Sequence, residues 1–430
     1  MSSNESNESV SVSEFKVNEF SKSQQAVIEL IKSKKNIFLT GIAGSGKSYL
    51  ISRLRDTFPN KQIVLTSTTG ISAFNIGGFT IYSYLALGLG DKDPRESVGR
   101  LSAAAKISIR RLDILVIDEV SMLSAELFQK INEILQRVRG NPYQFGGVQI
   151  ILSGDLLQLE IIGKSFKPVI ESRLFPDFVI ATLTTNFRQK DDANWSELLN
   201  RLRINEMTES DLSVLKTKVE QFDEHNDLVV IKCTNAGVNT INEKKYSQLS
   251  GDEHTYKMVE KGSKTLLFDL RKQFVAKGSA ELKLKVGCKV MLTRNLDTEI
   301  GLTNGAIGIV TDFTPTGLPF VKFDHLDFKV IVERQEWVQE MGKEKCSITQ
   351  IPLILSWANT VHKCQGLSLS KAVIDISSAF CNHQVYVALS RVRTLDGLRL
   401  KSFNKNKITV NKKMIEFYSE RSERTSERSE

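Results

Sequence analysis

The run GIAGSGKS, Gly41–Ser48, fits the pattern GxxxxGK[ST] and lies between an apolar β-type run and a helical stretch, where phosphate-binding chemistry requires it. Glycines let successive backbone N–H groups close around phosphate oxygens, so Gly41, Ile42, Ala43, Gly44, Ser45 and Gly46 form the cradle. Lys47 reaches the β- and γ-phosphates, and Ser48 offers its hydroxyl to Mg2+. A second piece, LVIDEVS, ends an apolar strand on Asp118 and Glu119. Ligands gather outside the carboxyl ends of parallel strands, so both acids face the crevice that holds Lys47. Asp118 suits the metal; Glu119 suits orienting and deprotonating an attacking water. A third strand end, SGDLLQL, puts Gln158 within reach of a γ-phosphate or that water. Hydrolysis also needs cations against the charge that develops in the transition state. Arg188 in TTNFRQ and Arg391 in VYVALSRVR can supply them, although spacing alone does not single them out among the other arginines.

These groups need rigid elements behind them. Short unbroken apolar runs, NIFLT (36–40), QIVLTS (62–67), LDILVID (112–118), VQIILSGD (148–155) and FVIATL (178–183), alternate with helical stretches. That alternation predicts a parallel sheet covered on both faces, an α/β domain over about 20–190. A second series, DLVVIKC (227–233), KVMLT (289–293), IPLILS (351–356) and KAVIDI (371–376), predicts a second α/β domain. Residues 301–346, with GAIGIV, LPFVKF and FKVIV between Gly/Pro/Asp turns, read as a small antiparallel barrel or sheet inserted into it. Residues 1–18 are Ser/Asn/Glu-rich, and 413–430 end in the short-period SERSERTSERSE; both read as disordered tails.

Of 430 residues, 41% are apolar and 25% charged, a profile that excludes a disordered or fibrous chain. No run approaches the roughly 20 uncharged residues of a membrane helix, and neither a secretory nor an organellar leader is legible. Five cysteines without a CxxC pair fit reduced thiols, so the expected setting is intracellular, nuclear or cytoplasmic, without a membrane. The formal charge is +8, and the ends are slightly acidic, so the body carries the excess. A basic body suits a polyanion partner, but many soluble proteins share such a balance with none.

The ordered series FSKSQ, GIAGSGKS, STTGISAFNIGGFTIYSYLALGLG, IDEVSM, FGGVQIILSGDLLQL, TTNFRQ, LTNGAIGIV, WANTVHKCQGLSL and VYVALSR resembles the Pif family of DNA helicases, in superfamily one and related to RecD. The resemblance runs from about Phe20 to Leu400. It implies two RecA-like motor domains, 19–84 with 107–190 and 191–300 with 347–412. It further implies a wedge insertion at 85–106 and an SH3-like β insertion at 301–346. Gln24 would read the adenine of ATP, Arg188 and Arg391 would be the two γ-phosphate arginines, and Leu127 to Gly147 matches a family signature. Single-stranded DNA would cross both domains at Ser67, Thr68, Thr69, Gly70, Phe74, Asn75 and Tyr82, then at His362 and Lys363. For Phe74, Phe79 and Tyr82, base stacking and core packing both fit the sequence.

The implied activity is ATP-dependent 5′-to-3′ translocation on single-stranded DNA, with unwinding of duplex or forked DNA by a monomeric motor. ATP and Mg2+ would be the cofactors, and replication or repair proteins further partners. A RecD-like subunit of a nuclease complex, a DNA-binding ATPase scaffold that does not unwind, and a small-molecule kinase are the rival readings. Three departures from the family pattern stand out: Tyr82 replaces a usual His, LQLEIIGK lacks the diproline after Gln158, and Cys364 replaces a usual Ser.

Overall fold

The computed structural model describes residues 20–426, apart from 89, 91–92, 162–165, 221–227, 235, 278–279, 298, 303 and 342–343. The tail reading of 1–18 lies outside the described residues. The first lobe is built on six parallel strands: β1 (Ile37–Gly41), β2 (Ile63–Ser67), β3 (Phe79–Thr80), β4 (Ile114–Asp118), β5 (Gln149–Ser153) and β6 (Val179–Leu183). Their order is β3-β2-β4-β5-β1-β6. Every residue of β1, β4 and β5 is buried, as expected of central strands with helices on both faces. Val27, Ile28, Leu50, Ile51 and Leu54 cover one face; Phe128, Ile131, Leu135, Phe145, Phe175 and Phe178 cover the other.

The helix Ala125–Arg139 shows why the sequence folds this way locally. Ser124 caps its N-terminus, Leu127, Phe128, Ile131, Ile134, Leu135 and Val138 form one buried stripe, and Gly140 ends it in the left-handed region. The FGG turn then folds back on it. The side chain of Asn132 accepts from the Phe145 N–H at 2.7 Å, and a Cβ at Gly146 would meet the Leu135 carbonyl at 2.8 Å. Within 85–106, Pro94–Arg100 and the start of Ala103–Arg111 are helical, and Leu85, Leu87, Leu101 and Ala105 are buried in the first lobe's core. The boundary drawn at 106 falls inside the second of these helices, because that helix runs on to deliver the chain into β4.

The second lobe has a parallel sheet of β7 (Val230–Lys232), β18 (Ala358–Thr360), β19 (Ala372–Asp375) and β20 (Leu398–Ser402), in the order β18-β7-β19-β20. KVMLT and IPLILS do not belong to it. They form β11 (Lys289–Leu292) and β17 (Leu353–Leu355), antiparallel members of a five-stranded sheet with β12 (Ile307–Phe313), β13 (Pro319–Phe323) and β14 (Lys329–Ile331). The insertion therefore draws in strands outside 301–346. All four residues of β11 are buried, so an inner antiparallel strand of this sheet shows the same unbroken apolar run as a parallel one.

Two further antiparallel pieces complete this module: β8 (His254–Lys257) with β10 (Glu281–Leu284), and the hairpin β15 (Gln335–Met341)–β16 (Glu344–Gln350) extended by β9 (Val259–Gly262). The hairpin reaches the first lobe. Gln339 Nε2 donates to the Gly78 carbonyl at 3.1 Å, and Leu266, Leu270, Phe274, Cys346 and Ile348 share a core with Phe74 and Phe79. Among the described residues no helix is long and apolar enough to cross a membrane.

The C-terminal reading needs the largest correction. As far as it is described, the segment read as a tail from 413 is the helix Lys412–Ser426, docked on the first lobe. Met414 is buried, the Phe417 ring lies 5.9 Å from Phe175 and 6.4 Å from Phe38, and the Tyr418 hydroxyl sits 2.6 Å from Thr40 Oγ1 and accepts from the Leu156 N–H at 3.2 Å. Met414, Phe417 and Tyr418 recur at helical spacing, and that apolar stripe outweighs the polar repeat that follows it. Met414→Ala should lower the unfolding free energy by about 2–5 kcal/mol in denaturant titrations. A change under about 0.5 kcal/mol, the level of a surface position, would mean the helix is not docked.

Candidate nucleotide and nucleic-acid site

β1 runs into the glycine-rich turn, and the turn opens the helix Lys47–Thr57. Gly46 has φ +85°, and at Gly44, φ +84°, a Cβ would come within 2.5 Å of Arg188 Cβ. Only glycine lets the turn approach the TTNFRQ loop so closely. Lys47 Nζ donates to the Gly41 carbonyl at 2.6 Å and the Ile42 carbonyl at 3.1 Å, and burial pushes its pKa down. The turn, Asp118, Glu119, Gln158, Arg188 and Arg391 surround one cavity of about 480 Å3. All of these except Arg391 come from strand ends or loops of the first lobe, and Arg391 follows the helix Gln384–Leu389 of the second.

Asp118 ends β4 fully buried, and its oxygens accept from Ser153 Oγ at 2.8 Å and Ser72 Oγ at 3.0 Å. Burial raises its pKa, and the two hydroxyls oppose that rise. Glu119 takes a left-handed φ of +56°, and burial, then the neighbouring Asp118 charge, pushes its carboxyl up to about 7. Gln158 donates to Asp155 Oδ2 at 3.3 Å, and Asp155 is itself ion-paired with Arg203 at 2.6 Å. Arg391 is 1% exposed and donates to the Val387 carbonyl and Ser390 Oγ, each at 2.8 Å. Arg188 donates to Ser368 Oγ at 2.7 Å, the Ser390 carbonyl at 3.2 Å and the Gly366 carbonyl at 3.3 Å. Burial lowers the pKa of both guanidiniums.

Gln24 lies beside the phosphate turn. Its Oε1 accepts from the Ser21 N–H at 2.9 Å and its Nε2 donates to the Gly46 carbonyl at 3.4 Å, so the amide is spent on a helix cap and on the turn. The aromatic rings on the cavity wall are those of Tyr49 and Phe187, both exposed. The motifs do not single them out: Tyr49 lies just past GIAGSGKS in the helix it opens, and in TTNFRQ the arginine is the group that bears on hydrolysis. Ala43 donates its N–H to the Tyr386 hydroxyl at 3.2 Å, a contact between the lobes.

A second cavity, about 810 Å3, runs between the two lobes and the inserted module, and it shares Glu119, Gly366 and Ser368 with the first. Thr69, Ser72, Phe74, Asn75, His362 and Trp337 are on its wall. Lys363 lies beside it, in a small adjoining pocket with Asn75 and Asn304. Phe74 is mostly buried against Trp337, at 5.2 Å between centroids, and Phe274, at 5.5 Å. Thr69 caps the helix Gly70–Asn75, so Gly70 begins that helix.

Several implied contacts are displaced. Ser67 is fully buried, its hydroxyl donating to the Asp118 carbonyl at 3.2 Å, and Thr68 Oγ1 donates to the Glu119 carbonyl at 2.8 Å. Their hydroxyls tie β2 to the end of β4 and are turned away from the cleft. Phe79 is core, and Tyr82 packs half-buried against that core outside both cavities. Arg294 and Trp337, with the guanidinium 5.5 Å from the ring centroid, line the cleft from the insertion. Basic and aromatic residues interleaved in that segment were the available signal.

The comparisons agree with this architecture. A family model described as PIF1-like helicase matches residues 19–216, and one described as DNA helicase Pif1, 2B domain, matches 271–313. The ATP-dependent DNA helicase PIF1 of Danio rerio is 35% identical over 93% of this chain, which spans 63% of that relative's length. The crystal structure of Bacteroides sp. Pif1 in complex with ADP-AlF4 aligns at 30% identity and a TM-score of 0.80 over 94% of this chain and 97% of its own. Bacteroides Pif1 bound to ssDNA aligns at 30% identity and 0.66, over 94% and 97%. Two lobes, an antiparallel insertion and a phosphate cradle in matching order over nearly the whole of such a relative leave one assignment: the chain belongs to the PIF1-like helicase family.

Proposed function

We propose that the chain is an ATP-dependent DNA helicase that translocates 5′-to-3′ on single-stranded DNA and separates duplex or forked DNA. One observation carries the reading: Lys47, Glu119 and Arg188 from the first lobe and Arg391 from the second meet around one cavity, and that cavity shares part of its wall with a second one lined by hydroxyl, aromatic and basic side chains. The relatives named for ATP-dependent DNA helicase activity, and those solved with ADP-AlF4 or ssDNA, support it.

The turn's N–H groups and Lys47 hold the triphosphate, Glu119 takes a proton from the attacking water, and Gln158 orients it. Arg391 and Arg188 stabilise charge on the transferring phosphoryl group. Because these groups straddle the lobes, tight binding of the triphosphate draws the lobes together and its loss releases them. Phe74, Trp337 and His362 meet bases and sugars while Thr69, Lys363 and Arg294 meet phosphates, so binding is led by the backbone and weakens with salt. Residues 85–106 split the strands.

The site fits Mg2+. Ser48 and Asp118 are hard oxygen donors on the same wall, and the two serine hydroxyls already orient the Asp118 carboxylate. Held by Ser48 and Asp118, the ion would neutralise phosphate charge. The motor works as a monomer, with replication or repair proteins as further partners.

Strand displacement on partial duplexes tests the reading. A 5′-tailed substrate should be unwound only with ATP, and a 3′-tailed one left intact. Unwinding from the 3′ tail overturns the polarity, and DNA-independent ATPase without unwinding of either substrate overturns the function.

A further inference from the structure

The turn 362–368 of the second lobe stands between the two cavities. On one side His362, Gln365 and Gly366 face the nucleic-acid cleft. On the other, Gln365 Nε2 donates to Glu119 Oε2 at 2.9 Å, Ser368 Oγ accepts from Arg188 Nε at 2.7 Å, and the Gly366 carbonyl accepts from Arg188 Nη2 at 3.3 Å. So two first-lobe groups needed for hydrolysis are both held by one second-lobe turn. Gln365 is 9% exposed, and its amide spans the gap between the lobes to reach a carboxylate.

We propose that Gln365 restrains Glu119 when the cleft holds no DNA, and that a strand seated against His362 and Gly366 draws the turn off Glu119 and Arg188, so DNA switches hydrolysis on. A carboxylate that accepts a hydrogen bond from an amide is stabilised in place and has one oxygen fewer for a water. The same holds for Arg188: while its guanidinium serves Ser368 and Gly366, its donors are not aimed at a γ-phosphate. DNA binding and release of the two groups are therefore the two ends of one movement, and by linkage a bound triphosphate favours the released turn and tighter DNA binding. Gln365 acts through Glu119 and is a positioning residue. This inference rests on the ATP-dependent helicase function proposed above.

Steady-state ATPase of the full chain with and without oligo-dT tests it. Gln365→Leu keeps the side-chain volume and removes the amide, so DNA-free kcat should rise about tenfold, with KM for ATP changed by less than about twofold and a smaller DNA-stimulation ratio. Damage to the fold cannot raise a rate in this way. Ser368→Ala frees Arg188 by a smaller change and should act in the same direction; if Gln365→Leu does not melt cooperatively, that variant decides. DNA-free kcat at or below the wild-type value, with wild-type stimulation by DNA intact, overturns the restraint alone. A wild-type chain whose ATPase ignores oligo-dT overturns the functional reading with it.

Discussion

Glu119→Gln should cut DNA-stimulated ATP hydrolysis by about 10²–10⁴-fold while single-strand binding persists, measured by steady-state ATPase and by fluorescence anisotropy of a labelled oligonucleotide. The amide has nearly the carboxylate's shape but cannot take a proton from water. Glu119 is suited to that role by its position and its environment. It follows the last residue of a buried strand, in a left-handed conformation, and it looks into both cavities. Burial and the adjacent Asp118 raise its carboxyl to about 7, while Lys47 and Arg391 pull the other way. A base must be ionised to act, and a raised pKa keeps part of the population protonated near neutrality. The wild-type kcat/KM should therefore fall as pH drops through about 7, and this acidic limb should be missing from whatever rate Glu119→Gln retains. Hydrolysis within about threefold of wild type would remove Glu119 from the chemistry.

Arg391→Ala should lower kcat by about 10³–10⁵-fold and leave ATP binding largely in place, the loss that follows removal of an arginine acting on the transferring phosphoryl group. Binding persists because the turn and Lys47 lie wholly in the first lobe. Hydrolysis fails because the second lobe then supplies no charge to the cavity from that position. The guanidinium is almost completely buried and is held by the Val387 carbonyl and Ser390 Oγ, so its direction is set before any nucleotide arrives. Arg391→Lys keeps a charge and part of the volume but not the fork of donors, and should fall between the two. Binding of a fluorescent ATP analogue, read beside thermal melting, separates loss of chemistry from loss of fold. An unchanged kcat in a folded Arg391→Ala variant would end its role as a finger.

Much of this site was legible because short-range rules produce it. The strand-turn-helix around Gly41–Ser48, and the acids that end an apolar strand, need only local backbone geometry and the rule that ligands sit beyond strand ends. The first sheet was legible for the same reason: all five of its predicted strands are present and parallel, and all but the half-buried edge strand β6 lie in the core. KVMLT and IPLILS were misassigned because a buried run of four or five apolar residues carries no record of its partner's direction. The tail was misread because SERSERTSERSE dominates the composition there, whereas Met414, Phe417 and Tyr418 matter only once a surface exists to receive them. Ser67, Thr68 and Tyr82 look like a continuous DNA-facing stretch in sequence. In the fold, strand pairing turns the first two hydroxyls to the β4 backbone and helix phase turns Tyr82 to the core.

Residue type and spacing alone determined where the phosphate-type glycine turn, its lysine and the strand-ending acids stand, because each depends on a few neighbouring backbone positions. Tertiary structure alone decided which groups from opposite lobes meet: Arg188 with Ser368, Ala43 with Tyr386, Glu119 with Gln365 across 246 positions of chain. No local rule links residues so far apart. Their meeting follows from how two sheets and an inserted module bury apolar surface against one another.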